Sequence, residues 1–304
     1  MSRRGPSPGT TGVIFDVDTF AVHDGPGIRM AVYFKGCPLA CGWCHSPESR
    51  EPSPELIFVR DRCVTCGTCV TTCGFHVHTI SAQAHLLERT LCKSCGRCVE
   101  VCTTGALAIK GYAVSADEVV EKATHLRPFF AHSGGGVTLT GGEVTMQADF
   151  AEAILDGCRR EQVHTAIETC GACPWETLER LAELCDLILF DIKLMDEEEH
   201  IRWTGAPNRQ ILANAARLAG RNVVVRVPLI PGITDGDANL SGIFTFMRGS
   251  GLRVVSLLPY NPSSGAKYEW LGIPFEIAGV PQSAERLSEI ADMARGMGLL
   301  ASIG

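Results

Sequence analysis

No apolar run in the 304-residue chain approaches the roughly 20 residues needed to cross a bilayer. The opening Met1-Ser2-Arg3-Arg4-Gly5-Pro6 lacks the apolar segment of a secretory signal, and none closely follows the Arg3-Arg4 pair. The expectation is a cytoplasmic protein without a membrane partner. Basic residues are not in excess either. Lys and Arg number 27 against 34 Asp and Glu, and the formal charge of −7 argues against a nucleic-acid surface. A redox partner or another protein fits better than a polyanion. The length allows one large domain or a domain carrying an insertion.

Cysteine is the residue in surplus, with fifteen copies. Without an export signal a disulfide framework is disfavoured, and metal or catalytic use is favoured. Eleven of them fall between Cys37 and Cys102 in short-spaced runs, while Cys158, Cys170, Cys173 and Cys185 are scattered. Cys170 and Cys173 read as unligated thiols near the mouth of a site. The run Cys37-x3-Cys41-x2-Cys44 follows the apolar stretch 30–34, so a strand would deliver three thiolates to one point. They can hold three corners of an iron–sulfur cube, leaving one iron without a protein ligand. An open metal position is where substrates bind. Thiolates alone do not name the metal, so a three-cysteine zinc site completed by His45 is the alternative.

Farther on, Cys63-x2-Cys66-x2-Cys69-x3-Cys73 is repeated as Cys92-x2-Cys95-x2-Cys98-x3-Cys102, with Gly67 and Gly96 after the second cysteine of each copy. Such runs wrap [4Fe–4S] clusters, the fourth thiolate of each crossing to the other cube. On that pattern Cys63, Cys66, Cys69 and Cys102 bind one cluster, and Cys92, Cys95, Cys98 and Cys73 the second. Gly74 and Thr103 stand where bacterial ferredoxins usually have proline. Two tandem zinc sites are the alternative. His76, His78 and His85, between the runs, are expected at the surface.

Residues 12–22 alternate as a strand and are followed by a Gly-Pro-Gly turn, which brings Asp24 and Arg29 near the cluster loop. After Gly111 an α/β alternation sets in. A helix is expected over 115–127, with Ser115 as N-cap and Glu118 completing a capping box. Strands at 137–140, 164–167, 187–190, 223–227 and 254–258 are separated by helical patterns at 150–160, 175–185, 210–219, 240–248 and 281–297. With the strand before Cys37 these make six βα units. The fold expected is a partial (β/α)6 TIM-like barrel of parallel strands, formed by residues 12–50 and 111–304. An inserted ferredoxin-like α+β domain occupies 51–110, and 1–11 form a disordered tail. Chemistry then gathers at the strand C-terminal ends. There Gly141-Gly142-Glu143 offers a carboxylate for an ammonium, or a plain glycine turn. Asp191 and Lys193 alternate to one side, suiting a zwitterion or forming a structural ion pair. Glu168, Thr169, Arg226 and Asn261 arrive at the same end.

Together these residues resemble a radical S-adenosylmethionine enzyme, through Cys37-x3-Cys41-x2-Cys44 and Gly141-Gly142-Glu143. More narrowly the chain resembles the glycyl-radical-enzyme activating enzymes, from Asp24-Gly25-Pro26-Gly27-Ile28-Arg29, Gly36-Cys37-Pro38-Leu39 and Trp43-Cys44-His45. The insertion, Asp191-Ile192-Lys193 and Val227-Pro228-Leu229-Ile230-Pro231-Gly232 extend the match. The resemblance implies reductive cleavage of S-adenosylmethionine at the open iron, giving a 5′-deoxyadenosyl radical that takes hydrogen from a backbone glycine of a partner enzyme. It implies three [4Fe–4S] clusters, a glycyl radical enzyme as partner, reduced flavodoxin or ferredoxin as donor, and a monomer. Trp43, Cys44 and His45 would flank the ligand, Gly142 and Glu143 would hold its amino end, and Asp191, Ile192 and Lys193 would serve its carboxylate and ribose side. A monovalent cation would sit near Glu168, Thr169 and Asp191. Asn261 replaces the family's usual histidine, and would take over adenosyl contact without an imidazole. A maturase oxidising a peptide side chain and a ferredoxin-type electron carrier are the other readings.

Overall fold

A computed structural model describes residues 9–81 and 84–304. The chain opens with strands β1 (Thr11–Ala21) and β2 (Arg29–Phe34). The next segment supplies β3 (Glu55–Phe58), α1 (Thr68–Thr72), β4 (His78–Ile80), β5 (His85–Leu87), α2 (Arg97–Glu100) and β6 (Leu107–Lys110). Strand β7 (Tyr112–Ser115) leads into α3 (Ala116–His125), α4 (Arg127–Ser133) and β8 (Gly136–Gly141). Then follow α5 (Ala148–Arg160), β9 (Thr165–Thr169), α6 (Trp175–Ala182), β10 (Leu187–Asp191), α7 (Glu197–Thr204) and α8 (Arg209–Arg217). The chain closes with β11 (Val223–Leu229), α9 (Asp237–Ser250), β12 (Val254–Pro259), α10 (Gly265–Leu271), α11 (Ala284–Gly296) and β13 (Leu300–Ile303).

One sheet organises the molecule, in the order β13-β12-β11-β10-β9-β8-β2-β1-β7. From β2 to β13 every neighbouring pair is parallel, whereas β1 runs antiparallel to both β2 and β7. The six expected parallel strands are present. Strand β13 adds a seventh, short and largely exposed. Helices cover the parallel strands, so β8 and β9 are buried almost throughout, as continuous apolar strands should be. Helix α5 turns Phe150, Ala151, Ile154, Leu155 and Cys158 inward at helical spacing, and α9 does the same with Leu240, Ile243, Phe244 and Met247. The expected capping box forms: Ser115 accepts from the Glu118 amide at 3.2 Å, and Glu118 accepts from the Ser115 amide at 2.8 Å.

The segment from β3 to β6 packs around its own buried set, including Leu56, Phe58, Val77, Ala106 and Leu107 with Cys69 and Cys98. Its hairpins, β3 with β6 and β4 with β5, are both antiparallel. The sequence repeat reaches the backbone: Thr65 and Ser94 sit at φ 51° and 49°, and His76 and Gly105 at 55° and 64°. His76 is exposed, but the expectation for His78 and His85 is corrected, because they are only 4% and 3% exposed. Strand alternation turns both onto the inner face of the β4–β5 hairpin.

Of the tail expected at 1–11, residues 1–8 lie outside the described residues, and Thr11 already pairs with Ser115. Among the described residues no helix is long and apolar enough to cross a membrane.

Candidate active site

The ends of six parallel strands border one cavity of about 860 Å³, within the size range of small-molecule sites. Such convergence requires the sheet to curve around it. Cys37, Cys41, Trp43, Cys44 and His45 line this space, together with Gly142, Glu143, Asp191, Lys193 and Asn261. Ile192 does not. Alternation turns it away from Asp191 and Lys193 into the apolar core, where it is 1% exposed.

The three-cysteine loop is held through its backbone by distant segments. The Cys37 amide donates to Arg50 O at 3.0 Å, Ala40 to Thr204 O at 2.7 Å, and Gly42 to Trp203 O at 2.9 Å. From below, the Arg50 guanidinium donates to Cys41 O and, at 2.8 Å, to the Tyr268 hydroxyl. That hydroxyl donates to Gly42 O at 3.1 Å. Beside the loop, Lys35 is fully buried and donates to Glu48 O at 2.6 Å and Glu55 at 3.0 Å. The sulfurs are left free to face the cavity. All fifteen cysteines are free thiols. Burial pushes Cys41 up to about 12 and raises Cys44. Thiols so placed need a cation to become thiolates, as a bound metal provides. Three soft donors on one loop fit an iron–sulfur cube with one open corner.

The glycine pair after β8 has a steric cause. Gly142 N donates to Phe34 O and Glu143 N to Gly36 O, both at 2.8 Å. A Cβ on Gly142 would lie 2.3 Å from Gly36 O, so only glycine lets this loop reach the cysteine loop. Glu143 is buried and well satisfied: Thr145 and Thr169 hydroxyls each donate to Oε1 at 2.8 Å, and the Cys170 amide donates to Oε2 at 2.8 Å.

Opposite stands a buried charge network. Arg226 reaches Asp191 at 2.9 Å and Glu168 with its other arm, and Lys193 meets Asp191 at 2.9 Å. Burial alone would raise Asp191, but Arg226 and Lys193 outweigh it and draw the carboxyl down to about 2. Glu168 keeps a raised value, because burial exceeds the pull of Arg226. The positive charge between Glu168 and Asp191 is therefore the guanidinium, and Thr169 turns its hydroxyl to Glu143 instead. Asp24 borders the cavity, where burial raises its carboxyl. Arg29 is fully buried and staples the entrance turn to β8 through Thr138 and Val137 O.

Asn261 Oδ1 accepts from Ser263 N at 3.0 Å, which leaves its amide N–H groups for a ligand. Its carbonyl accepts from His45 Nε2 at 3.2 Å. Cys170 is the residue that sequence reasoning undervalued. It is buried and borders the cavity with Cys37, and the interaction of the two thiols draws Cys37 below the ordinary thiol range while Cys170 goes well above it. No spacing rule marks it. Arg50, Tyr268 and Thr204 carry no motif either, and only the tertiary contacts reveal them.

Away from this cavity the eight remaining motif cysteines separate into two groups. Cys63, Cys66, Cys69 and Cys102 line one small cavity, and Cys73, Cys92, Cys95 and Cys98 another. The fourth cysteine of each run has crossed to the other group.

Residues 32–240 match the Radical SAM superfamily. The chain is 40% identical over 278 residues to the choline trimethylamine-lyase activating enzyme of Oleidesulfovibrio alaskensis, covering 88% of this chain and 90% of that one. It is 39% identical over 298 residues to the trans-4-hydroxy-L-proline dehydratase activating enzyme of Clostridioides difficile, covering 96% and 99%. A radical SAM methyltransferase from Sphaerobacter thermophilus superposes with a TM-score of 0.54 over 91% of this chain and 66% of that one, at 16% identity, a likeness of fold alone. With relatives this similar along nearly its whole length, the chain belongs to the radical SAM superfamily and, within it, to the activating enzymes of glycyl radical enzymes.

Proposed function

We propose that the chain installs a radical on a backbone glycine of a partner enzyme, using S-adenosylmethionine bound at a cluster held by Cys37, Cys41 and Cys44. The observation that carries this reading is one loop presenting three thiols at the Cys-x3-Cys-x2-Cys spacing to the cavity that Asp191, Lys193 and Glu143 border, with Cys170, from the end of β9, beside them. Cys37, Cys41 and Cys44 would hold the cluster, which when bound would supply the electron for cleaving the sulfonium bond, the 5′-deoxyadenosyl group so released being the hydrogen acceptor for the glycine. The chain's own residues bind and orient. Trp43 and His45 flank the ligand, the backbone at Gly142 and Glu143 faces its amino end, and Lys193 and Asp191 serve its carboxylate and ribose side. Asn261 donates its free amide N–H groups to the adenosyl end.

The insertion holds two further [4Fe–4S] clusters, one on Cys63, Cys66, Cys69 and Cys102 and one on Cys73, Cys92, Cys95 and Cys98. The grouping of four thiols around each of two cavities supports this. So held, they would relay electrons from reduced flavodoxin or ferredoxin towards the site cluster. The two relatives, nearly equal in identity, are named for a lyase and a dehydratase, so the partner's reaction is open between such chemistries.

The test is anaerobic reconstitution, reduction and incubation with S-adenosylmethionine. Release of 5′-deoxyadenosine, lost in Cys41→Ala, supports the reading, and no release from fully loaded protein overturns it. A glycyl radical signal on a co-expressed partner tests the second half.

A further inference from the structure

The two halves of the insertion repeat in sequence and backbone, yet they surround their cysteines differently. His85 lies seven residues before Cys92, where the first copy has Leu56 before Cys63. His78 lies five residues after Cys73, where the second copy has Leu107 after Cys102. The hairpin registers agree with this equivalence, since His85 pairs with Ile80 as Leu56 pairs with Ile109. One half therefore carries a buried histidine pair where the other carries leucines.

The pair has a definite hydrogen-bond order. His85 Nδ1 lies 3.4 Å from Cys63 Sγ, and His85 Nε2 lies 3.0 Å from His78 Nδ1 and 3.8 Å from Cys69 Sγ. A thiolate bound to iron carries no proton and can only accept. Of the two sulfurs Cys63 makes the shorter contact, so His85 Nδ1–H donates to it and His85 Nε2 accepts from His78 Nδ1–H. The nitrogen left over is His78 Nε2, which is the buried atom of the pair without a partner. In this tautomer it is a bare lone pair, cheaper to leave unsatisfied than a buried N–H.

The asymmetry extends beyond histidine. Thr68 and Thr104 hydroxyls lie 3.5 Å from Cys66 and 3.8 Å from Cys102, while Arg97 and Phe75 stand at their repeat positions. The second group has one such contact, from the Ser94 amide to Cys92 at 3.4 Å. Lys93 and Arg97 do border that group, but both are exposed and screened by solvent.

We propose that His85, locked in its donor tautomer by His78, sets the cluster of Cys63, Cys66, Cys69 and Cys102 at a higher reduction potential than its neighbour. Hydrogen bonds to cluster sulfurs stabilise the extra negative charge of the reduced state. Electrons entering the insertion then collect on this cluster. His85 is a positioning residue, and the inference rests on the two-cluster reading above.

The experiment is a potentiometric titration of the full-length, reconstituted protein, followed by electron paramagnetic resonance. The signal that changes on adding S-adenosylmethionine belongs to the site cluster and is set aside. In His85→Leu one remaining midpoint moves to more negative potential and the other stays, so the two draw together. At a fixed ambient potential the reduced-to-oxidised ratio of that cluster falls, each tenfold fall being about 59 mV for one electron. His78→Leu moves the same midpoint in the same direction by less. Unchanged midpoints in a His85→Leu protein with full iron content overturn the proposal. If that variant loses iron, the wild-type protein decides: labelling with 15N-histidine gives a nitrogen coupling at one reduced cluster, and its absence overturns the proposal. Iron near four rather than about twelve per wild-type chain would instead refute the two-cluster reading, and this inference with it.

Discussion

Replacing Arg226 with methionine isolates the electrostatics of the cavity wall. The guanidinium spans Asp191 and Glu168, and its side chain is only 14% exposed. In Arg226→Met, Asp191 keeps Lys193 at 2.9 Å, whereas Glu168 keeps the hydroxyl of Thr140 but no ion-pair partner among the described residues. The deficit therefore falls on Glu168. Removing one member of a buried pair costs about 3–5 kcal/mol. The pH dependence has a fixed sign. Burial already holds Glu168 above its ordinary 4.5, and losing Arg226 raises it further. Between 4.5 and that raised value the native variant binds a proton that the unfolded chain does not. Its stability therefore grows as pH falls, by up to about 1.4 kcal/mol per pH unit. Because losing Arg226 raises Glu168 above its wild-type value, urea unfolding should show a smaller gap to wild type at pH 5 than at pH 8. Adding Glu168→Gln should recover most of the loss at pH 8, because a neutral amide needs no counter-charge. A deficit below about 1 kcal/mol, or one that is the same at both pH values, would refute the reasoning.

Three other substitutions probe the loop's supports. Lys35→Met keeps the buried stem but removes the charged bonds to Glu48 O and Glu55; urea unfolding should show a loss of about 1.5–3 kcal/mol, and no loss would mean the ammonium contributes nothing net. Gly142→Ala forces the β8 loop away from Gly36 O, costing about 1–3 kcal/mol. Calorimetry should find weaker S-adenosylmethionine binding with the insertion's iron intact, and wild-type affinity would contradict the close-approach argument. Tyr268→Phe removes the hydroxyl between Arg50 and Gly42 O; iron should leave the site cluster faster in the presence of a chelator, and an unchanged rate would show that the loop holds itself.

What was legible in the sequence is what local signals encode. Parallel strands buried on both faces read as apolar runs, and β8 to β12 lie where those runs fall. Ser115 and Glu118 announce their capping box three residues apart. The cysteine spacing states its own grouping, and the fourth cysteine of each run does cross over. The misses concern polar residues whose burial depends on distant partners. His78 and His85 look like ordinary surface histidines until the hairpin brings them within 3.0 Å and seats one beside Cys63. Arg50 has no motif, because its partners are Cys41 O and Tyr268. Ile192 sits inside a recognisable motif, yet strand alternation sends it to the core.

The supports of the cysteine loop also bear on how the site is made. A loop that must gather three thiols around iron pays for that order either when metal binds or when the chain folds. Here the amides of Cys37, Ala40 and Gly42 and the carbonyls of Cys41 and Gly42 are all engaged by residues outside the loop. The partners come from the segment just after it, from the end of α7, and from α10. His200 secures the α7 end in turn, with Nδ1 2.6 Å from Ala206 O and 3.0 Å from the Thr204 hydroxyl. Tertiary contacts thus hold the loop backbone at five points that do not involve its sulfurs, so less of its order has to come from the metal. The two groups in the insertion differ: short helices of five and four residues and left-handed glycines carry their cysteines, on a far smaller core. Their order depends more heavily on the metal, so the same chelator should strip and loosen the insertion before it disturbs the sheet.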